Sequence, residues 1–218
     1  MKTALAICLI AGMTFSAKAE EALKRPASCA LVATVQDDHC AVQNYFKCSG
    51  AATAAYRKEV RYGGGEVEVH TFNANHGGLE IIQPAGGAYF EIRSDGPNPS
   101  TILAAGSGRV TDRATITRDG KSRQAMMEAD YVNGGETRKL AGERFHRLTY
   151  STTISYVGVD GELHTSGSVL FNERLDLLID ELEVSDGQGK PGRKVKLKSL
   201  ALEGQKGFGA TKPKFGCN

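Results

Sequence analysis

The sequence predicts an all-β fold, an antiparallel meander of roughly nine to eleven strands that forms a curved sheet, half-barrel or barrel. Apolar and polar residues alternate with a period of two over most of the chain beyond residue 59. Short turns containing Gly, Asn or Asp separate the alternating segments, so consecutive strands must be antiparallel. Many of the 26 glycines lie at those turns.

Residues 1–19 have the features of a secretory signal peptide. Lys2 precedes a mostly apolar stretch that is shorter than the roughly 20 residues a membrane-spanning helix needs. Small residues at Ala17 and Ala19 form the A-x-A pattern that signal peptidase cleaves, so we expect cleavage between Ala19 and Glu20. The pattern predicts export to the periplasm or to the medium.

The expected mature chain consists of a flexible lead-in, residues 20–28, and a single antiparallel β domain, residues 29–218. Loss of Lys2 and Lys18 with the leader reduces the 27 basic residues to 25, equal to the 25 acidic residues. A neutral chain without basic clusters is not typical of a nucleic-acid-binding protein. No second apolar run of membrane length follows, which predicts a soluble protein that does not span a membrane.

The cysteines predict a disulfide framework. Cys29, Cys40, Cys48 and Cys217 remain after cleavage, and an even number in an oxidising compartment indicates two disulfides. Sequence alone leaves three pairings open. In each of them Cys217 connects the C-terminus to the N-terminal segment. We expect residues 29–58 to form a short helix or irregular structure stapled by a disulfide.

The clearest hairpin joins residues 147–159 to residues 162–171 through the turn signal Asp160-Gly161. One face of its first strand is expected to be buried, and the other carries Thr, Ser and Arg. The apolar residues that we expect in the core, or lining an apolar cavity, are Leu148, Tyr150, Ile154 and Tyr156.

Further turns are predicted at residues 63–65, 84–87, 119–120 and 133–135. Residues 172–186 fit two structures: an amphipathic helix with Asn172 as N-cap, or a further strand, which we prefer because acidic residues would crowd the helix C-terminus. Residues 194–202 are interpreted as an edge strand protected by lysines. The alternative is an anion-binding patch formed by Arg193, Lys194, Lys196 and Lys198.

No motif predicts a catalytic residue, a metal ligand or a cofactor. There is no HExxH, no G-x-S-x-G and no phosphate-binding glycine loop. Glu66 and Glu68 would lie about 7 Å apart on one strand face, as on any solvated sheet. The five histidines are scattered along the chain, and His70 and His76 are close enough in sequence to meet.

We therefore expect an exported, non-catalytic protein that binds an apolar small ligand or an envelope partner through a curved sheet. One alternative is an exported hydrolase or metal enzyme, which predicts that at least two of the later histidines converge with an acid in one cleft. These histidines are His70, His76, His146 and His164. Another alternative is a structural or assembly component of the envelope, which predicts an exposed apolar patch or an unprotected edge strand.

Overall fold

The computed structural model describes residues 25–50, 54–181 and 195–217. Within them the predicted all-β meander is confirmed, with twelve strands and one short helix. Their bounds are β1 Cys29–Asp37, β2 Ala41–Cys48, β3 Tyr56–Tyr62, β4 Val67–Phe72, β5 Gly78–Gln83, β6 Ala88–Asp95, α1 Pro99–Ala105, β7 Ser107–Arg118, β8 Lys121–Leu140, β9 Glu143–Tyr156, β10 Glu162–Asn172, β11 Leu177–Glu181 and β12 Leu197–Leu202.

All twelve strands belong to one antiparallel sheet, nearly closed into a barrel. Each strand from β1 to β10 pairs with the next strand in the chain, and β12 returns to pair with β1. The backbone ladder therefore ends at β11 on one side and at β12 on the other, among the strands that are described.

The two ends of the sheet meet through side chains of β11, which makes apolar contacts on both faces. Leu177 and Ile179 join the core formed with Ala33 and Val35 of β1, at the opposite end of the sheet order. Leu178, on the other face, packs against the cluster that contains Leu148. These contacts on the two faces of β11 hold the sheet in a rolled form.

The predicted hairpin of β9 and β10 is confirmed, with one difference in its loop. Leu148 pairs with Val169, and Ile154 pairs with Leu163. The first strand ends at Tyr156 rather than at residue 159, so the loop has five residues, 157–161, and is not a two-residue turn. At the turn between β7 and β8, Asp119 and Gly120 both have the positive φ expected of a type I′ turn.

The predicted turn at residues 133–135 is wrong. β8 runs through this segment, and its pairing with β9 shifts register between Asn133 and Thr137. Gly135 adopts a positive φ inside this bulge, while the chain reverses at Ala141 and Gly142. A bulge and a tight turn both favour glycine at positive φ, so the local sequence signal was the same for either.

The helix or irregular structure expected for residues 29–58 is also wrong within the described part of that segment. β1 and β2 form a hairpin in which Cys29 lies directly opposite Cys48. Five consecutive residues, 33–37, are buried in β1, so no exposed face produces an alternating pattern. Residues 51–53 lie outside the described residues.

Helix α1 was not predicted. The Asn98 side chain accepts a hydrogen bond from the Thr101 backbone N–H, Pro99 begins the helix, and Gly106 ends it with a φ of 83°. Ile102 is only 3 % exposed because it packs against Leu148 and Val169 on the inner face of β9 and β10. The helix therefore covers part of the interior of the rolled sheet.

The preferred strand assignment for the ambiguous segment is confirmed where the structure describes it. Asn172 accepts a hydrogen bond from the Leu175 backbone N–H in the turn that precedes β11, and it starts no helix. Residues 182–186 lie outside the described residues. β12 is shorter than the predicted edge strand, and Lys198 lies 3.8 Å from Asp38. Arg193 and Lys194 of the alternative anion patch are not among the described residues.

The two predicted disulfides are confirmed, and their pairing is Cys29 with Cys48 and Cys40 with Cys217. The second bond connects the C-terminus to the N-terminal segment, as every possible pairing required. Two disulfides indicate an oxidising compartment outside the cytosol. The predicted signal peptide, residues 1–19, lies outside the described residues. In the part of the chain that is described, no helix has the length and hydrophobicity needed to cross a membrane.

Candidate functional site

The interior of the rolled sheet contains a cavity of about 140 Å³ beneath α1. Leu148 is fully buried and lines it, together with Val169 of β10, Leu178 of β11 and Ile102 of α1. These four side chains form an apolar wall contributed by strands from one end of the sheet and by the helix that covers them.

The other residues selected on β9 lie along the same inner face. Tyr150 is half-buried, and its ring centroid is 5.4 Å from that of Tyr131, which lines the cavity. Ile154 and Tyr156 are half-buried farther along the strand, away from the helix. Tyr156 packs with Ala125 and Ile92 in a separate apolar cluster. Leu148 alone among the four lines the cavity.

Polar groups line the remainder of the cavity. They come from β6, from β7 and from the turn between β4 and β5, and they include Ser94, Asp112, Asn73 and His76. Ser94 pairs directly with Asp112 across the β6–β7 ladder. The cavity therefore has an apolar wall and a polar wall, both held mainly by backbone-paired strands.

Asp112 is the most unusual group in this cavity. Its Oδ1 atom is buried and accepts no hydrogen bond. Burial raises the pKa of Asp112, and a hydrogen bond from Ser94 opposes that shift. A buried oxygen without a donor is unfavourable by roughly 1–3 kcal/mol, so this position is suited to a group that brings a donor.

A second polar group joins the cavity wall to the turn before β11. Nε2 of His76 lies 2.9 Å from Asp176, whose carboxylate also accepts a hydrogen bond from the Tyr56 hydroxyl and lies 3.0 Å from Lys47 Nζ. The His76 ring stacks on Tyr56 with centroids 4.1 Å apart and meets Phe171 edge-on. The cluster connects four separate segments of the chain.

The charge states of this cluster follow from its surroundings. Burial lowers the pKa of His76, against the opposing influence of Asp176. Burial would raise the pKa of Asp176, but hydrogen bonds from Tyr56, His76 and Lys47 outweigh it and lower the pKa to about 2. Asp176 is therefore ionised and His76 largely neutral at pH 7.

An ion pair between Lys58 and Asp180 lies beside the His76 cluster. Lys58 of β3 is 6 % exposed, and its Nζ is 2.6 Å from the carboxylate of Asp180 on β11. Burial, followed by the neighbouring Lys58 charge, lowers the pKa of His70. A smaller cavity of about 40 Å³ lies between Lys58, Asp180 and the His76 cluster, and Leu178 and His76 line both cavities.

The four later histidines do not share one acid. His70 contacts Glu68, His76 contacts Asp176, His146 lies 3.9 Å from Glu173, and His164 lies 3.8 Å from Glu162. Each histidine contacts a different carboxylate.

Glu66 and Glu68, which were expected on one strand face, have different surroundings. Glu66 is exposed in the turn before β4, whereas Glu68 faces His70 and Tyr62. Over the described ranges, no three His, Cys, Asp or Glu side chains are arranged to hold a metal ion.

Asp112, Asp176 and Asp180 were not predicted to contribute to the cavity or to the polar groups beside it. Asp180 and Asp112 had a detectable signal, because each lies two residues from an apolar side chain on the same face of a strand, Leu178 for Asp180 and Ala114 for Asp112. Asp176 had none, because it lies in a turn and its partners Tyr56, His76 and Lys47 are distant in sequence. Exposed large apolar side chains lie elsewhere, at Met126 and Val132 of β8 and at Val157 and Val159 in the loop between β9 and β10.

Comparison of this chain with protein-family models, with curated proteins and with solved structures finds no match.

Proposed function

We propose that this chain is an exported binding protein whose rolled sheet holds one small, mainly apolar ligand in the cavity beneath α1. The observation that carries the proposal is the cavity itself, with Leu148, Val169, Ile102 and Leu178 on one side and an unpartnered Asp112 oxygen on the other. Small-molecule sites are concave and set a few convergent polar groups beside apolar side chains, as Asp112 and the four apolar side chains are set here.

The cavity volume limits the size of the ligand. An apolar cavity of about 150 Å³ accommodates benzene, so about 140 Å³ suits a molecule of roughly six non-hydrogen atoms. This size excludes a lipid chain from the cavity as it stands. The proposal is therefore restricted to a small molecule and does not extend to lipid transport.

The first test is native mass spectrometry of the protein exported by a host through its own leader. We expect a small molecule bound at near one-to-one stoichiometry, released on denaturation. Val169→Phe should fill the cavity and abolish the bound mass, because Val169 is 4 % exposed and lines it. Ser166→Phe, which places the same ring at an exposed position of β10, is the matched control and should retain the ligand.

A weakly bound ligand dissociates during purification, so the second test adds cyclopentanol to the wild-type protein. Amide shifts of Ser94, Asp112 and Val169 should move at millimolar concentrations, and they should not move in Val169→Phe. The proposal is wrong if the wild-type protein carries no ligand and its amide shifts do not respond to cyclopentanol.

The runner-up function is an exported hydrolase that uses a histidine–carboxylate pair. The observation in its favour is the 2.9 Å contact between His76 and Asp176 at the cavity wall. It predicts hydrolysis of small esters that His76→Asn abolishes without unfolding the protein. Equal ester turnover by the wild-type protein and His76→Asn would exclude this function.

A further inference from the structure

The charges around the cavity select a particular ligand chemistry. The described residues that line the cavity include two acids, Asp95 and Asp112, and no Lys or Arg. His76 adds little positive charge at neutral pH, because burial lowers its pKa in spite of the opposing influence of Asp176. The cavity therefore has a negative potential with no internal cation to balance it.

The two acids have different positions. Asp95 lines the cavity and is exposed, which places it at the opening. Asp112 lies deeper, and its buried Oδ1 atom has no donor. A cation approaching the opening meets Asp95 first and Asp112 second. The deeper carboxylate is held by ladder pairing to Ser94 and Met127 on both sides, so it is rigidly placed before any ligand arrives.

The apolar wall determines the remainder of the ligand. Ile102, Leu148, Val169 and Leu178 offer carbon surface and no hydrogen-bonding side-chain atoms. A ligand that satisfies both walls carries a single donor-rich, positively charged group on a compact hydrocarbon body.

We propose that the cavity selects a small primary amine in its protonated form, with the ammonium group donating a hydrogen bond to Asp112 Oδ1 and the hydrocarbon body against Leu148 and Val169. This inference rests on the proposed function, because it names the ligand class of the same cavity. Ammonium suits the site because it brings both the missing donor and the missing positive charge, and charge-assisted hydrogen bonds are the stronger kind.

The test compares two probes of equal size, cyclopentylammonium and cyclopentanol, by NMR titration of the full mature protein. We expect cyclopentylammonium to bind at least about tenfold more tightly, the ratio typical of a buried hydrogen bond to a charged group. Asp112→Asn retains the side-chain shape and should remove this preference. Asp130→Asn removes one carboxylate from the exposed face of β8 and should preserve it.

Each other outcome has a definite meaning. Equal affinity for the two probes in the wild-type protein would overturn the amine proposal and leave the small-ligand function intact. A preference that survives Asp112→Asn would overturn the assignment of Asp112 as the receptor. Failure of both probes to bind would contradict the proposed function as well.

Discussion

His76 and Asp176 lie one hundred residues apart in sequence and 2.9 Å apart in the fold, and both have a positive φ, 62° and 50° respectively. His76 occupies the turn between β4 and β5, and Asp176 occupies the turn before β11. Neither residue is glycine, so each turn adopts a backbone conformation that is uncommon for its side chain. Their contact joins the middle of the sheet to its last described strand on that side, and it contributes to the rolled form.

Asp176→Asn should reduce the free energy of unfolding. The substitution retains a side-chain oxygen that accepts the hydrogen bond from the Tyr56 hydroxyl. It removes the negative charge that attracts the Lys47 ammonium group. We expect a loss of about 1 kcal/mol, less than a buried carboxylate would give, because the side chain is 37 % exposed and partly screened by solvent. Urea unfolding measures it, and Asp130→Asn is the exposed control with little expected change. An Asp176→Asn variant as stable as wild type would contradict this role.

Stability should fall on acidification. Burial lowers the pKa of His76, so below about pH 6.5 the unfolded chain binds a proton that the folded chain does not. The free energy of unfolding therefore decreases as the pH falls from about 6.5, and His70 acts in the same direction. Asp176, with a pKa of about 2, adds a second decrease between about pH 4 and pH 2.

The variant that isolates the first decrease is His76→Asn, because Asn tolerates positive φ and does not titrate. Its stability should depend less on pH between about 6.5 and 5 than that of the wild-type protein. Unfolding midpoints measured in urea across this range give the comparison. An identical slope for the two proteins would show that His76 titrates alike in the folded and unfolded states.

Lys58 depends on Asp180. Lys58 is 6 % exposed, so removing Asp180 leaves a buried ammonium group that retains only the attraction of Glu68. Asp180→Leu should therefore destabilise the fold by about 2 kcal/mol, less than for a fully buried pair because the Asp180 side chain is 41 % exposed. The double variant Lys58→Met/Asp180→Leu should recover most of this loss, since an apolar pair avoids the desolvation of both charges. A double variant no more stable than the single one would refute the dependence.

The two disulfides should differ in their contribution to stability. Cys40 and Cys217 are separated by 177 residues, and Cys29 and Cys48 by 19 residues. A chain-entropy model gives about 5 kcal/mol for the first and about 3 kcal/mol for the second. Paired Cys→Ser variants, unfolded in urea, measure each value. The prediction is wrong if loss of the Cys29–Cys48 bond is the more destabilising.

The Tyr150 side chain of β9 lies against Gly167, its pairing partner on β10. A Cβ atom at Gly167 would lie 2.6 Å from the Tyr150 hydroxyl, so the ring must move away from its packing against Tyr131. Gly167→Ala should cost about 1 kcal/mol and shift the ring resonances of Tyr131. Gly134→Ala is the matched control on β8, with open space around its Cβ, and should not destabilise the protein. Unchanged Tyr131 resonances in Gly167→Ala would contradict the contact.

The strands that could be predicted are those with one face exposed to solvent and the other buried. β9 and β10 alternate because Thr153 and Ser166 face solvent while Leu148 and Val169 face the interior. β1 was not predicted, because its residues 33–37 are all buried and the sequence there does not alternate between apolar and polar residues. Its identity as a strand depends on its neighbours β2 and β12 and on β11.

The bulge in β8 could not be predicted from the local sequence for a different reason. Asn133 and Gly135 would suit a hairpin turn, but the Asn133 amide donates to the Leu103 carbonyl of α1 and the strand continues. The choice between turn and bulge was made by contacts with a helix that lies thirty residues earlier in the chain. Local conformational preference was identical for both outcomes.

By itself the sequence determined the antiparallel meander, the number of disulfides and the inward face of β9, because these follow from spacing within one or two adjacent segments. Only the tertiary structure decided which cysteines pair, how the sheet rolls and where Asp112, Asp176 and Asp180 lie. Those features depend on contacts between strands a hundred or more residues apart, such as Lys58 with Asp180. Periodicity along a chain specifies which face of a strand is buried, and the packing of distant strands specifies what that face meets.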